Sequence, residues 1–151
     1  MQLNYDFHTH TVYSHGKGTI LDNAISAKEK GLKGITISDH GFSHPAFGMR
    51  RKKLDQMKKD CLQAEEQTGL QVKLGIESNI LGISGKIDVK EKDYEKLDMI
   101  LAGAHIFILY DGIKEWFNFF GRNFFTRTFK KKPSDKLIKR NTQVYINAIK
   151  N

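Results

Sequence analysis

Four short strand-like runs in this chain each stop at a histidine or a carboxylate, and few folds can use such a pattern. A run near residues 2–7 opens onto His8-Thr9-His10, residues 34–38 onto Asp39-His40-Gly41, residues 72–76 onto Glu77, and residues 99–104 onto His105. Successive strands that end in metal-capable residues are how a barrel or an open parallel sheet builds its active site. Helical spacing fills the intervals. A helix over 20–30 has Thr19 and Asp22 as a capping pair and Gly31 as its stop. Another, over 50–68, carries Leu54, Met57, Cys61 and Ala64 on one stripe and ends at Gly69. A hairpin or loop over 79–89 and a short helix over 93–97 complete the pattern. Strands alternating with helices predict an α/β fold with parallel strands.

Side chains two apart on a strand share a face, so His8 and His10 project together. Imidazole pairs of that kind suit zinc or another first-row metal. Any one of the six histidines alone reads as an ordinary surface or core group. The set His8, His10, His15, His40, Glu77 and His105 reads as a metal centre, because ordinary explanations would have to coincide at every strand end.

At this point the chain resembles the PHP (polymerase and histidinol phosphatase) domain family. The matching pieces are DFHTHT with YSHG (residues 6–16), ISDHG (37–41), GIESNI (75–80) and AGAHIF (102–107). The resemblance implies a distorted (β/α)7 barrel with up to three divalent transition metals (zinc, manganese or iron) at the C-terminal strand ends. It further implies that His8, His10 and Glu77 hold one metal, and that Glu77 bridges to a second bound also by His105. His15 and His40 would hold the third. Asp39 would orient an imidazole, and with Glu77 it is a candidate catalytic residue. The implied reaction is hydrolysis of a phosphomonoester, histidinol phosphate or a small nucleotide, by a metal-bridged hydroxide. An amidohydrolase-type site also begins with HxH, but it leaves His15, the Asp39-His40 pair and Glu77 unexplained.

The family completes its sites with a histidine, an aspartate and a further histidine on later strands, and no histidine follows His105 here. A barrel of this general kind needs about 200 or more residues, and the chain has 151. The expectation is therefore an incomplete barrel of about four βα units over residues 1–111, with a helical segment over 112–151 continuing the domain. Two open sheet edges would invite self-association. A third reading follows, a metal-binding remnant or module that is not catalytic by itself.

Charge divides at the same place. Residues 1–111 balance 15 basic against 15 acidic side chains, whereas 112–151 hold ten basic and two acidic, which is the whole net +8. Half of the sixteen aromatics fall there too. Interleaved rings and cations can bind single-stranded nucleic acid; the favoured expectation is an aromatic helix face buried on the barrel edge. A final helix from Pro133 and Ser134 should bury Leu137, Ile138, Asn141, Tyr145, Ala148 and Ile149. Arg50-Arg51-Lys52-Lys53 reads as a solvated helix face. One cysteine, Cys61, excludes a disulfide framework and suits a reducing cytoplasm. The chain opens directly on a strand, with no signal peptide expected, and no apolar run approaches the roughly 20 residues of a membrane span.

Overall fold

The computed structural model describes residues 3–105 and 110–150. Gln2 of the expected first strand, and Ile106 and Phe107 of the last motif, lie outside them. Strand β1 (Tyr5–Thr9) is followed by α1 (Ile20–Glu29), β2 (Gly34–Ile37) and a 3₁₀ turn (Arg51–Lys53) leading into α2 (Leu54–Thr68). Then come β3 (Gln71–Asn79), α3 (Glu91–Tyr94) and β4 (Met99–Gly103). The strands form one parallel sheet in the order β1-β2-β3-β4, each laid beside its predecessor, which is an incomplete α/β barrel.

The apolar pattern accounts for this arrangement. Central parallel strands are covered on both faces and read as continuous hydrophobic runs, and all four residues of β2 are buried. Ile20, Ala24 and Ala27 of α1 and Leu54, Met57, Cys61 and Ala64 of α2 join Ile35, Val72 and Ile76 in one core. The Thr19–Asp22 capping box fixes where α1 begins. Among the described residues no helix is long and apolar enough to cross a membrane.

Two strands run further than expected, and both extensions matter for what lies at their ends. β1 continues to Thr9, so His8 stands on the strand itself. β3 continues past Ile76 because Glu77, Ser78 and Asn79 go on pairing with Leu101, Ala102 and Gly103 of β4. Glu77 thus sits inside the sheet: on the β2 side its N–H donates to the Asp39 carbonyl and its carbonyl accepts from the Gly41 N–H, and on the other side it is paired with Leu101 of β4.

The last forty residues form α4 (Ile113–Glu115), a π-helical stretch (Trp116–Gly121), α5 (Arg122–Thr128) and α6 (Asp135–Lys150). The expected burial of an aromatic face is met only by Phe119 and Phe120; Phe117, Phe125 and Phe129 are each more than half exposed. Rings surround this short helix, so no single contact face can cover them. α6 turns a partly shifted stripe inward: Leu137 is buried and Asn141 and Ala148 half-buried as expected, but Val144 joins them while Ile138, Tyr145 and Ile149 stay exposed. It packs on the loop after β3 rather than on a flat sheet: the Asn147 amide donates to the Ile83 carbonyl. At Gly85, where φ is +78°, a Cβ would lie 2.4 Å from the Ala148 nitrogen, so only glycine lets the two backbones meet. Arg51 also departs from expectation. It lies over the Phe42 ring, donates to the Asp88 carbonyl and pairs with buried Asp93 rather than facing solvent.

Asp88 ties these pieces together. Its buried carboxylate accepts from the Ser43 N–H (2.8 Å), the Ser78 hydroxyl (2.8 Å), the Asn79 N–H (3.0 Å) and the Asn79 amide (2.6 Å). These donors come from the loop after β2 and from the end of β3. Asp88→Ala would strand all four, each unsatisfied buried group costing about 1–3 kcal/mol. Denaturant unfolding should show a loss of about 4 kcal/mol, allowing for partial hydration; a loss below about 1 kcal/mol would contradict this role.

Candidate metal centre

The parallel register brings the C-terminal ends of the four strands to one place, and the side chains there are imidazoles around a carboxylate. His8 on β1 and His10 just after it have their Nε2 atoms 3.1 Å apart. Glu77 Oε2 lies 3.2 Å from His8 Nε2, 3.5 Å from His10 Nε2 and 3.1 Å from His40 Nδ1. Glu77 Oε1 lies 3.1 Å from Nε2 of His105, which follows β4. His15 completes the group from above, with ring centroids 4.5 Å from His10 and 4.8 Å from His40.

The loop carrying His15 is folded by Asp39. The Thr11 N–H and hydroxyl donate to the two Asp39 oxygens at 2.8 and 2.6 Å, and the Ser14 hydroxyl donates at 2.5 Å. Asp39 was expected to orient an imidazole. Its hydrogen-bonding capacity instead goes to this loop, because β2 ends with Asp39 beneath it, fully buried. In the structure Asp39 thus holds the loop, and with it the backbone that carries His15. The loop closes so tightly that a Cβ on Gly16 would lie 2.4 Å from the His10 carbonyl oxygen. The Asn23 amide of α1 holds that same carbonyl at 3.0 Å.

Three overlapping triads result: His8, His10 and Glu77; His40, Glu77 and His105; and His10, His15 and His40, each with ligand atoms within 4.8 Å of one another. The first matches the expected grouping. In the other two His40 joins Glu77 and His105, and His10 joins His15 and His40. Donors at 2.0–2.2 Å from a tetrahedral ion stand about 3.3–3.6 Å apart, close to the 3.1–3.5 Å separations around Glu77.

Electrostatics suit the same use. Burial pushes the His40 imidazole down to about 4. Burial, and then His15 beside it, lowers His10. Burial alone would raise Glu77, but the nearby His105 and His40 more than reverse it, and the carboxylate sits below its ordinary value. A carboxylate among imidazoles with free lone pairs is the ionisation state that metal binding requires. Glu77 Oε2 and His40 Nδ1 are buried without a hydrogen-bond partner, a costly condition that a cation between them would relieve. The donor set fits a divalent transition ion.

His44 went unnoticed in the sequence. Its ring stacks 5.5 Å from His40 and meets His105 edge-on at 6.3 Å, while its Nδ1 accepts from the Phe47 N–H. The only local signal was its place four residues after His40, in a loop with no strand to orient it. Thr11 and Ser14 gave no signal without Asp39 placed beneath them.

The PHP domain model matches residues 6–148. A probable phosphatase of Caldanaerobacter subterraneus is 34% identical over the whole of this chain and 49% of its own length. A probable phosphatase of a Thermoanaerobacter species is 33% identical over the whole chain and 51% of its own. A probable phosphatase of Photobacterium profundum is 35% identical over 70% of this chain and 42% of its own. The chain thus spans about half the length of the curated relatives it matches. Among solved structures, a protein of Bifidobacterium adolescentis described as a candidate metal-dependent phosphoesterase shares 29% identity, with a TM-score of 0.38 over 52% of this chain and 23% of that one.

The imidazole environment sets a pH dependence for the metal-free protein. Unfolded, His40 titrates near 6.5; folded, it titrates at about 4, so below about pH 6.5 the unfolded chain takes up the proton first and acid favours unfolding. Glu77, held below its ordinary value, adds a loss of the same sign at lower pH. Thermal unfolding in chelator should show a midpoint falling from about pH 6.5 to about pH 4, with a shallower fall in His40→Asn. The same slope in both proteins would contradict the assignment.

Proposed function

The chain belongs to the PHP domain family, and on that premise we propose that it is a metal-dependent phosphoesterase acting on phosphomonoesters of the histidinol phosphate or small nucleotide kind. The observation that carries the reading is the carboxylate of Glu77 enclosed by His8, His10, His40 and His105 at 3.1–3.5 Å. His8, His10 and Glu77 would hold one divalent zinc, manganese or iron, Glu77 and His105 a second, and His15 and His40 a third, because a neutral imidazole gives its one lone pair to one ion. Once bound, such ions supply a hydroxide at neutral pH and neutralise charge on the attacking and leaving oxygens. Phosphoester hydrolysis depends mainly on positioning and charge stabilisation, which is the work left to the chain's residues.

Those residues divide the task. Glu77 spans two triads because a carboxylate offers two oxygens to two cations. The imidazoles bind without adding charge, which leaves the centre positive toward a phosphate dianion. Asp39 keeps Thr11 and Ser14, and with them His15, in place. His8 is half exposed, so the first triad is open to a substrate from solvent. A single cysteine, buried and with its thiol pushed up to about 12 by burial, fits a reducing compartment such as the cytoplasm.

A second reading is a metal-binding module that hydrolyses nothing by itself, since the chain spans about half the length of its curated relatives. Two measurements separate the readings. Elemental analysis after brief dialysis should find at least one equivalent of transition metal. Glu77→Gln should lower occupancy at two triads together, whereas His15→Ala should affect one. With metal supplied, p-nitrophenyl phosphate should be hydrolysed, and Glu77→Gln should reduce turnover by about a hundredfold or more, a few kcal/mol in the barrier. Metal retained without any hydrolysis would establish the second reading. Less than about a tenth of an equivalent of metal would contradict both.

A further inference from the structure

The side chain of His105 reaches Glu77, and His105 also lines a half-open cavity of about 680 Å³ between the end of β4 and the C-terminal helices. That volume lies in the range of sites for small organic ligands. Tyr110, Phe120, Phe124 and Tyr145 supply aromatic walls, and the rings run in series, with Tyr110–Phe120 centroids 6.1 Å apart and Phe120–Phe124 centroids 5.3 Å apart. The Tyr110 hydroxyl donates to the His105 carbonyl at 2.9 Å, so wall and histidine are held as one piece. Arg127, Lys130 and Lys131 line the same cavity, and no carboxylate lines it among the described residues. Asn123 and Asn141 close part of it with a reciprocal pair of amide hydrogen bonds at 3.1 and 2.8 Å.

We propose that this cavity receives the alcohol portion of the substrate, and that this portion is an aromatic ring system bearing a second anionic group. The proposal rests on the phosphoesterase reading and narrows its substrate class. With the phosphoryl group at the His105 end, the attached alcohol passes into the cavity. Aromatic walls select a planar ring through offset and edge-on stacking. Three cations without a counter-charge select an anion on that ring, beyond the phosphate already held at the imidazoles. A small polar ester such as glycerol 2-phosphate would leave the walls wet and the cations unpaired.

Lys130 makes the idea testable apart from folding. It lies just past the C-cap of α5 with φ at +48°, a left-handed conformation that glycine adopts more readily. Lys130→Gly therefore removes a cation while easing the backbone, and a merely structural role would show itself as unchanged or higher stability with no other effect.

The test uses 6-hydroxy-2-naphthoate, the alcohol that such an ester releases, titrated calorimetrically into the full chain, so that the result does not depend on hydrolysis. One saturable site is expected, weakened at least fivefold in Lys130→Gly and in Tyr145→Ala, and weakened similarly when 2-naphthol replaces the naphthoate. Lys59→Ala, an exposed cation elsewhere, should bind as the parent does. No saturable binding, or equal binding by the parent and both cavity variants, would overturn the proposal. With metal supplied, 6-carboxy-2-naphthyl phosphate should exceed glycerol 2-phosphate in kcat/KM by about tenfold or more; equal values would also overturn it. Naphthoate binding intact with neither ester hydrolysed would count against the phosphoesterase reading, not against the cavity's ligand.

Discussion

The carboxylate of Glu77 is the constraint on which the rest of this molecule depends. An ionised group away from water must be paired, hydrogen-bonded or bound to a metal. The described structure holds three other buried carboxylates, and each has donors. Asp39 takes the Thr11 N–H and two hydroxyls, Asp88 takes four donors, and Asp93 takes the Lys90 N–H and Arg51. Glu77 differs in kind. Among the described residues it faces imidazoles, and its Oε2 has no hydrogen-bond partner there. The fold therefore satisfies its structural carboxylates from within, and Glu77 is the one to which the proposed function gives a cation.

The saturated carboxylates make that incompleteness sustainable. Asp39 at the end of β2 secures the His15 loop, and Asp88 secures the loop after β2 to the end of β3. Extension of β3 through Asn79 fixes Glu77 from both neighbouring strands. Rigid support of this kind is what holds ligands in place when they would otherwise be repelled or rearranged. The cost is visible in the lowered His10 and His40, whose neutral forms the fold enforces.

The strands, the helices over 20–30 and 50–68 and the glycines that stop them were legible because each rests on local chemistry: period-two and period-3.6 patterns, the Thr19–Asp22 box and the glycine stops. His8, His10, His40, Glu77 and His105 were legible because they stand at or just past the ends of those strands, and His15 because it follows His10 closely on the loop after β1. Asp39's true partners were not, since Thr11 and Ser14 reach it only after the loop folds across from β1. His44 was hidden for the same reason. The C-terminal helices were the least legible part. Rings on every side of residues 113–128 carry no preferred face, and α6 chose its inward stripe by meeting the loop at Gly85, a contact no periodicity encodes.

The most direct test of the account is where a metal sits. Crystals of the chain grown with zinc or manganese, measured at the metal's absorption edge, should show anomalous peaks about 2.0–2.2 Å from Glu77 Oε2 and from the imidazole nitrogens of His8 and His10. A second peak should lie between Glu77 Oε1 and His105. Peaks only at surface residues, with Glu77 hydrogen-bonded to protonated imidazoles in their place, would contradict the claim that this carboxylate is built to bridge cations.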